Sequence, residues 1–224
     1  MDPRFPPAVL FDLDGTLLDS APDFVATLAL MAQRHGLPVA SAQVVRPVVS
    51  KGSRAMLAVA FPQLQTEARE ALVPEFLDTY QGLIGQHAQL FDGVAGMLDA
   101  LDAAGCVWGI VTNKPEYLAR DILPQHGWQD RCAVLVGGDT LAQKKPHPLP
   151  LLHAAAAIDM APAQCVYVGD DQRDILAAQA AAMPSVGALW GYRLADDQPL
   201  QWGADCLHDT AAALSQPAGW PQVP

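Results

Sequence analysis

The sequence predicts an α/β protein: a doubly wound, Rossmann-like parallel sheet core with an α-helical cap inserted after its first strand. Three observations predict this. Short unbroken apolar runs recur along the 224 residues, each ending in a polar or glycine-containing turn. Helical patterns lie between them, and strand–helix alternation is what a parallel sheet with right-handed crossovers requires. One stretch, from about residue 22 to 89, breaks that rhythm and carries only amphipathic helical patterns.

The first apolar run is Ala8-Val9-Leu10-Phe11, leading into Asp12. Residues 106–111 form the second and lead into Thr112-Asn113. Residues 133–136 end at Gly137-Gly138-Asp139, residues 165–168 end at Gly169-Asp170-Asp171, and residues 184–190 make a fifth run. Continuous apolar runs of this kind are expected of strands buried on both faces. Residues 94–104 place Val94, Met97, Leu98 and Leu101 on one helical face, with Gly105 as a stop signal. Residues 149–157 and 172–182 are helices of the same kind. In the inserted stretch, helical patterns cover 23–35, 52–61 and 66–83. The expected division is therefore a core of residues 1–21 and 90–224 and a helical cap of residues 22–89. The tail from Ser215 has three prolines in ten residues and is expected to lie on the surface or to be mobile.

Charge and composition narrow the partners. A formal net charge of −11 argues against nucleic acid or an anionic membrane, since both select basic surfaces. No apolar run is long enough to span a bilayer. The first residues reach acidic side chains before a signal-peptide core could form, and the four cysteines make no CxxC pair. A cytoplasmic protein with reduced core thiols is expected. An anionic substrate would need local cations or a metal ion to overcome the overall field.

Ligands of open α/β sheets bind at the carboxyl ends of the strands, and four of the five runs end in reactive or phosphate-binding residue types. Asp12 and Asp14, separated by one residue after an apolar run, would repel each other unless a cation stood between them. Mg²⁺ suits such oxygen donors and is typically shared between one or two carboxylates and a substrate phosphate. One carboxylate can then attack phosphorus, while Asp14 can protonate the leaving group and later accept a proton from water. Gly15 follows within the same turn and is expected to contact the substrate. The run ending at Gly169 supplies Asp170 as a direct metal ligand, with Asp171 or Asp174 as a second ligand or its anchor. Thr112 and Asn113 offer a hydroxyl and an amide to phosphoryl oxygens, and Lys145, before Pro146, offers a positive charge.

The order DxDGT (Asp12 to Thr16), a strand-terminal Thr112, Lys145-Pro146 and GDDxxD (Gly169 to Asp174) resembles the haloacid dehalogenase-like hydrolases. The resemblance covers essentially the whole chain. It implies a Mg²⁺-dependent phosphomonoester hydrolase with Asp12 as nucleophile. Asp14 is then the general acid/base and a metal ligand through its backbone carbonyl, Thr112 and Lys145 bind phosphate, Asp170 is the acidic metal ligand, and a helical cap falls between the first and second motifs. Haloacid dehalogenases proper lack the second aspartate, so Asp14 points to phosphoryl transfer. The segments Phe11 to Ser20 and Val111 to Pro115 are similar to the phosphoglycolate phosphatase group. Ser50 to Met56 and Trp202 to Asp205 are similar to a branch of it that includes N-acetylmuramic acid 6-phosphate phosphatases. Both substrates carry a carboxylate besides the phosphate, which Lys51 and Arg54 of the cap could meet. A small phosphorylated metabolite is the expected partner. A sugar phosphomutase shares every motif. A phospho-accepting receiver domain shares the acidic cluster but would be about half this length and without the insert. Oligomeric state is not legible.

Overall fold

The computed structural model describes residues 3–223. Its strands, in chain order, are β1 (Ala8–Phe11), β2 (Leu18–Asp19), β3 (Gln89–Leu90), β4 (Val107–Val111), β5 (Cys132–Val136), β6 (Cys165–Gly169), β7 (Ser185–Ala188) and β8 (Cys206–His208). The α-helices are α1 (Ala21–His35), α2 (Ala42–Val45), α3 (Ser53–Ala60), α4 (Thr66–Ala71), α5 (Val73–Gln81), α6 (Val94–Ala103), α7 (Glu116–Ile122), α8 (Leu149–Ala157) and α9 (Gln172–Ala180). Six strands make one parallel sheet in the order β5-β4-β1-β6-β7-β8. β2 and β3 pair antiparallel as a separate short ribbon, where the chain leaves and rejoins the sheet.

The central strands are apolar throughout because alternate side chains enter two different clusters. Val9 and Phe11 of β1, Val166 and Val168 of β6, and Trp108 and Ile110 of β4 pack with α6 and α7 on one face. Ala8 and Leu10, Cys165 and Tyr167, and Val111 pack with α8 and α9 on the other. A sheet covered on both sides needs apolar residues at every position, not every second one. β5 departs from that expectation: it is an edge strand, and Ala133 is exposed.

The β2–β3 ribbon, α2, α7 and β8 were not legible in the sequence. β8 is a half-buried edge strand of three residues between Asp205 and Asp209. It is held by pairing with β7 and by the Asp205 carboxylate, which accepts from Ser185 N–H at 2.8 Å. The expected helix over 66–83 is two helices, broken at Leu72, because Pro74 occupies the first turn of α5 and cannot donate to the turn before it. The tail is also packed. Trp220 is buried against the sheet-side cluster, its Nε1 donates to Leu214 O at 2.9 Å, and His208 Nε2 lies 2.7 Å from Gly219 O.

Residues 21–81 supply most of a second cluster, built on Phe24, Leu28 and Met31 of α1, Met56 and Leu57 of α3, and Phe76 and Tyr80 of α5, which Leu118 of α7 and Tyr192 join from the sheet side. Phe24 stacks on Tyr80 with ring centroids 4.2 Å apart. No helix among the described residues is long and apolar enough to cross a membrane.

Candidate active site

Register positions the site. Phe11 lies opposite Ile110 on one side and Val168 on the other, so the three strands run out together and deliver Asp12, Thr112 and Asp170 to one edge. Asp12 N–H still donates to Val168 O, and Thr112 N–H to Val136 O, both at 2.9 Å. α9 starts directly after β6 and brings Asp174 back over the same edge. Carboxylate oxygens of Asp12, Asp170 and Asp174 all lie within 4.8 Å of one another, and all three residues are buried.

Lys145, 2% exposed, arrives from the loop after β5. Its Nζ makes ion-pair contacts at 3.0 Å to Asp12 Oδ1 and 2.7 Å to Asp174 Oδ1. It also donates to Tyr167 Oη at 2.7 Å, which in turn donates to Val111 O. Burial alone would push this ammonium down, but Asp12 and Asp174 outweigh it and hold it above its ordinary value. Burial pushes the Asp170 carboxyl well up, the charges of Asp174 and Asp12 add to that, and bonds from Ser50 Oγ (2.8 Å) and Tyr192 N–H (2.9 Å) only partly offset it. Asp174 is pushed up to about 6 by burial despite Lys145.

Fully ionised, the three buried carboxylates exceed the one ammonium by two negative charges. Such an excess is costly in a desolvated pocket, and a divalent cation with hard oxygen preference removes it. The donor set fits Mg²⁺.

The other sequence-predicted residues are placed as follows. The Asp14 carboxylate turns from the cluster to Lys114 Nζ, at 2.8 and 3.0 Å, and its carbonyl oxygen is 3.4 Å from Ser50 Oγ. Asp171 caps α9, accepting from Arg173 N–H, and pairs with Lys51 Nζ (2.7 Å) and Arg173 Nε (3.0 Å). Burial would raise its carboxyl, but Arg173 and Lys51 hold it below its ordinary value. Of the two acidic candidates after Asp170, only Asp174 faces Asp12 and Asp170.

Thr112 Oγ1 accepts from Lys114 N–H at 3.2 Å, which leaves its own proton free to donate. The Asn113 amide was expected to face phosphoryl oxygens. Instead both its ends are spent on the Lys145 backbone, donating to the carbonyl and accepting from the N–H at 3.0 Å each. Asn113 thus ties the loop after β4 to the loop carrying Lys145. Gly15 does not line the cavity described below; at φ +89° it passes so close to Asp170 that a Cβ would collide with the carboxylate. Gly191, which sequence reasoning missed, is packed against Asp170 in the same way.

A cavity of about 430 Å³ opens between the sheet edge and the helices of residues 21–81. Asp12, Asp14 and Thr112 line its floor, and Phe24, Met56, Phe76 and Tyr80 line its roof. Lys51 and Arg54 also line it, but neither is a free cation. Lys51 is held by Asp171, with Asp197 at 3.6 Å, and Arg54 turns to Glu70 with two thirds of its side chain exposed. Ser50, Lys114 and Tyr192 were missed as site residues. Lys114 directly follows Thr112-Asn113, and that position is the one signal that could have found it.

The four cysteines are free. Burial pushes the Cys106 thiol up to about 12 and those of Cys132 and Cys165 up to about 11, which rules out a ready thiolate nucleophile at these positions.

Comparison with known proteins agrees with this geometry. Residues 9–188 match the model of the haloacid dehalogenase-like hydrolase family, and the chain belongs to that family. Within it, the chain is a phosphatase of the phosphoglycolate phosphatase-like group. It is 69% identical over 219 residues to a phosphoglycolate phosphatase of Xanthomonas campestris pv. campestris, covering 98% of this chain and 99% of that one. An N-acetylmuramic acid 6-phosphate phosphatase of Pseudomonas aeruginosa is 43% identical over 203 residues, 90% of each chain. A crystal structure from Haemophilus somnus, described as a predicted phosphoglycolate phosphatase, superposes with a TM-score of 0.82 at 29% identity, covering 93% and 96% of the two chains.

Proposed function

We propose that the chain hydrolyses a small, carboxylate-bearing phosphomonoester, 2-phosphoglycolate first among candidates, through a phosphorylated Asp12. The observation that carries this reading is the buried group of Asp12, Asp170 and Asp174 with Lys145 beside it, which reaches the floor of the cavity through Asp12. Asp12 attacks phosphorus, the ester P–O bond breaks, and the leaving oxygen takes a proton from the Asp14 carboxyl. Water then attacks the phosphorus of phospho-Asp12, gives its proton to Asp14, and releases inorganic phosphate with the Asp12 carboxylate restored. Lys145 keeps the Asp12 carboxylate aimed and screens its approach to an anionic phosphoryl group, while the Thr112 hydroxyl donates to a phosphoryl oxygen. Asp12, Asp170 and Asp174 would hold Mg²⁺, with the Asp14 carbonyl as the resemblance implies; when bound, the ion supplies the charge that neutralises phosphate against carboxylate.

The division into a core of residues 1–21 and 90–224 and a cap of 22–89 belongs to the same proposal. It is supported by the second cluster, to which residues 21–81 contribute all but Leu118 and Tyr192 of the buried members, and by the β2–β3 ribbon at both crossings. A cytoplasmic location is supported by the four unpaired cysteines.

A second reading, N-acetylmuramic acid 6-phosphate as substrate, is favoured by the apolar roof, since a two-carbon ester has nothing to set against Met56 and Phe76. Turnover of a phosphorylated-metabolite panel with Mg²⁺, followed by acid quench and localisation of the bound phosphate, tests both readings. Phosphate returned to a sugar instead of to water would mean a mutase, and label on any residue but Asp12 would sink the mechanism.

A further inference from the structure

Lys114 is buried, at 7% exposure, in a setting that leaves its ammonium one anionic partner among the described residues: Asp14, with both carboxylate oxygens within 3.0 Å. The other side of the ammonium is covered by two aromatic faces. Nζ lies 4.7 Å from the Phe24 ring centroid and 4.4 Å from that of Tyr80, well inside the ~6 Å reach of a cation–π contact. Those rings belong to α1 and α5 and stack on each other. The lysine backbone is fixed to the sheet edge, where its N–H donates to Thr112 Oγ1 and its carbonyl accepts from Gly138 N–H at 2.8 Å. A lysine stem has four rotatable bonds and an ammonium three free donors. Here the rings on one side and the loop on the other leave that freedom little room.

We propose that Lys114 is a positioning residue for Asp14, and that it makes the placement of Asp14 depend on the helices of residues 21–81. The proposal rests on the reading of Asp14 as acid and base. The sheet edge supplies the stem, the inserted helices supply the seat for the charge, and Asp14 is aimed by what they hold between them. Asp12 and Thr112 are placed by strand register and Lys145 by the Asn113 tie to its loop, none of which draws on the inserted helices, so nucleophile and acid–base group are set by different parts of the molecule.

Leaving-group dependence separates this role from a structural ion pair. p-Nitrophenolate departs from phosphorus without a proton, whereas an alkoxide needs one; both substrates need a base to hydrolyse phospho-Asp12. For Lys114→Met with p-nitrophenyl phosphate, the first-turnover burst should stay within about threefold of wild type. Steady-state turnover should fall ~10–100-fold, a part of the ~10²–10⁴ that acid–base catalysis supplies, and acid-stable phosphoenzyme should accumulate. With an alkyl ester that the wild type turns over, 2-phosphoglycolate first, the first turnover should fall by the same factor. Lys114→Arg should recover part of the loss, and Phe24→Leu should show a weaker form of the same split. Burst and steady state falling together on both substrates, or no change in either, would overturn the proposal. An intact burst shows that the variant is folded at the site. Asp14→Asn is the reference: if it lacks the split, the acid–base reading of Asp14 fails, and the role of Lys114 fails with it. If it shows the split and Lys114→Met does not, only the positioning role fails.

Discussion

The floor and the roof of the cavity are built by different physics. At the floor and buried just beneath it, Asp12, Asp170 and Lys145 come from segments up to about 160 residues apart, yet each leaves the end of a parallel strand or the loop beyond it. Hydrogen-bond register fixes Asp12 and Asp170, Asn113 ties the Lys145 loop to the same edge, and their charges are left unbalanced. In the roof, Lys51 and Arg54 are held by side-chain partners, Asp171 and Glu70, and their charges are balanced already. The proposed chemistry sits where the frame is rigid and electrostatically incomplete; the residues that would choose the substrate sit where charges are paired and exchangeable.

The strongest way to break this contrast is Asp12→Asn. It should lower kcat by at least ~10⁴-fold on any substrate, as loss of a covalent nucleophile does. Because it also removes one uncompensated buried charge, the metal-free variant should melt at a higher temperature than the metal-free wild type. A lower Tm would mean that the cluster is balanced without an ion. Chelation comes next. Activity should vanish with EDTA and return with Mg²⁺, and Mg²⁺ should raise the wild-type Tm by mass action more than that of Asp12→Asn in differential scanning fluorimetry. Lys145→Met should cost ~10²–10³ in kcat while leaving substrate KM less affected. Gly15→Ala should destabilise by about 1–3 kcal/mol, from the strained φ and the collision with Asp170, read from urea midpoints. Smallest of all, Arg54→Ala should change stability by no more than ~0.5 kcal/mol, since its partner is an exposed glutamate. Its effect should appear as a change in KM for carboxylate-bearing esters alone, and an equal change for p-nitrophenyl phosphate would remove Arg54 from substrate choice.

What could be read from the sequence follows the same division. β1, β4 and β6 were legible because burial on both faces writes itself into every position, and the strand-end aspartates followed from where those runs stop. β8 was not, because an edge strand of three residues leaves no periodic trace and depends on β7 for its existence. Asn113 was legible as a site residue but not in its use: the amide faces the Lys145 backbone, a partner 32 residues away that no local pattern announces. Lys114 was hidden for a similar reason, since half of its environment comes from α1 and α5. Asp171 and Asp174 could not be told apart until the cap of α9 showed which carboxylate turns outward.

The packed tail has a practical consequence for spectroscopy. Trp220 joins Trp108, Trp128, Trp190 and Trp202 on the sheet side, and no indole lies within residues 22–89. Tryptophan emission will therefore follow the melting of the sheet and stay blind to the inserted helices. Those must be followed through far-ultraviolet ellipticity or a label placed on them.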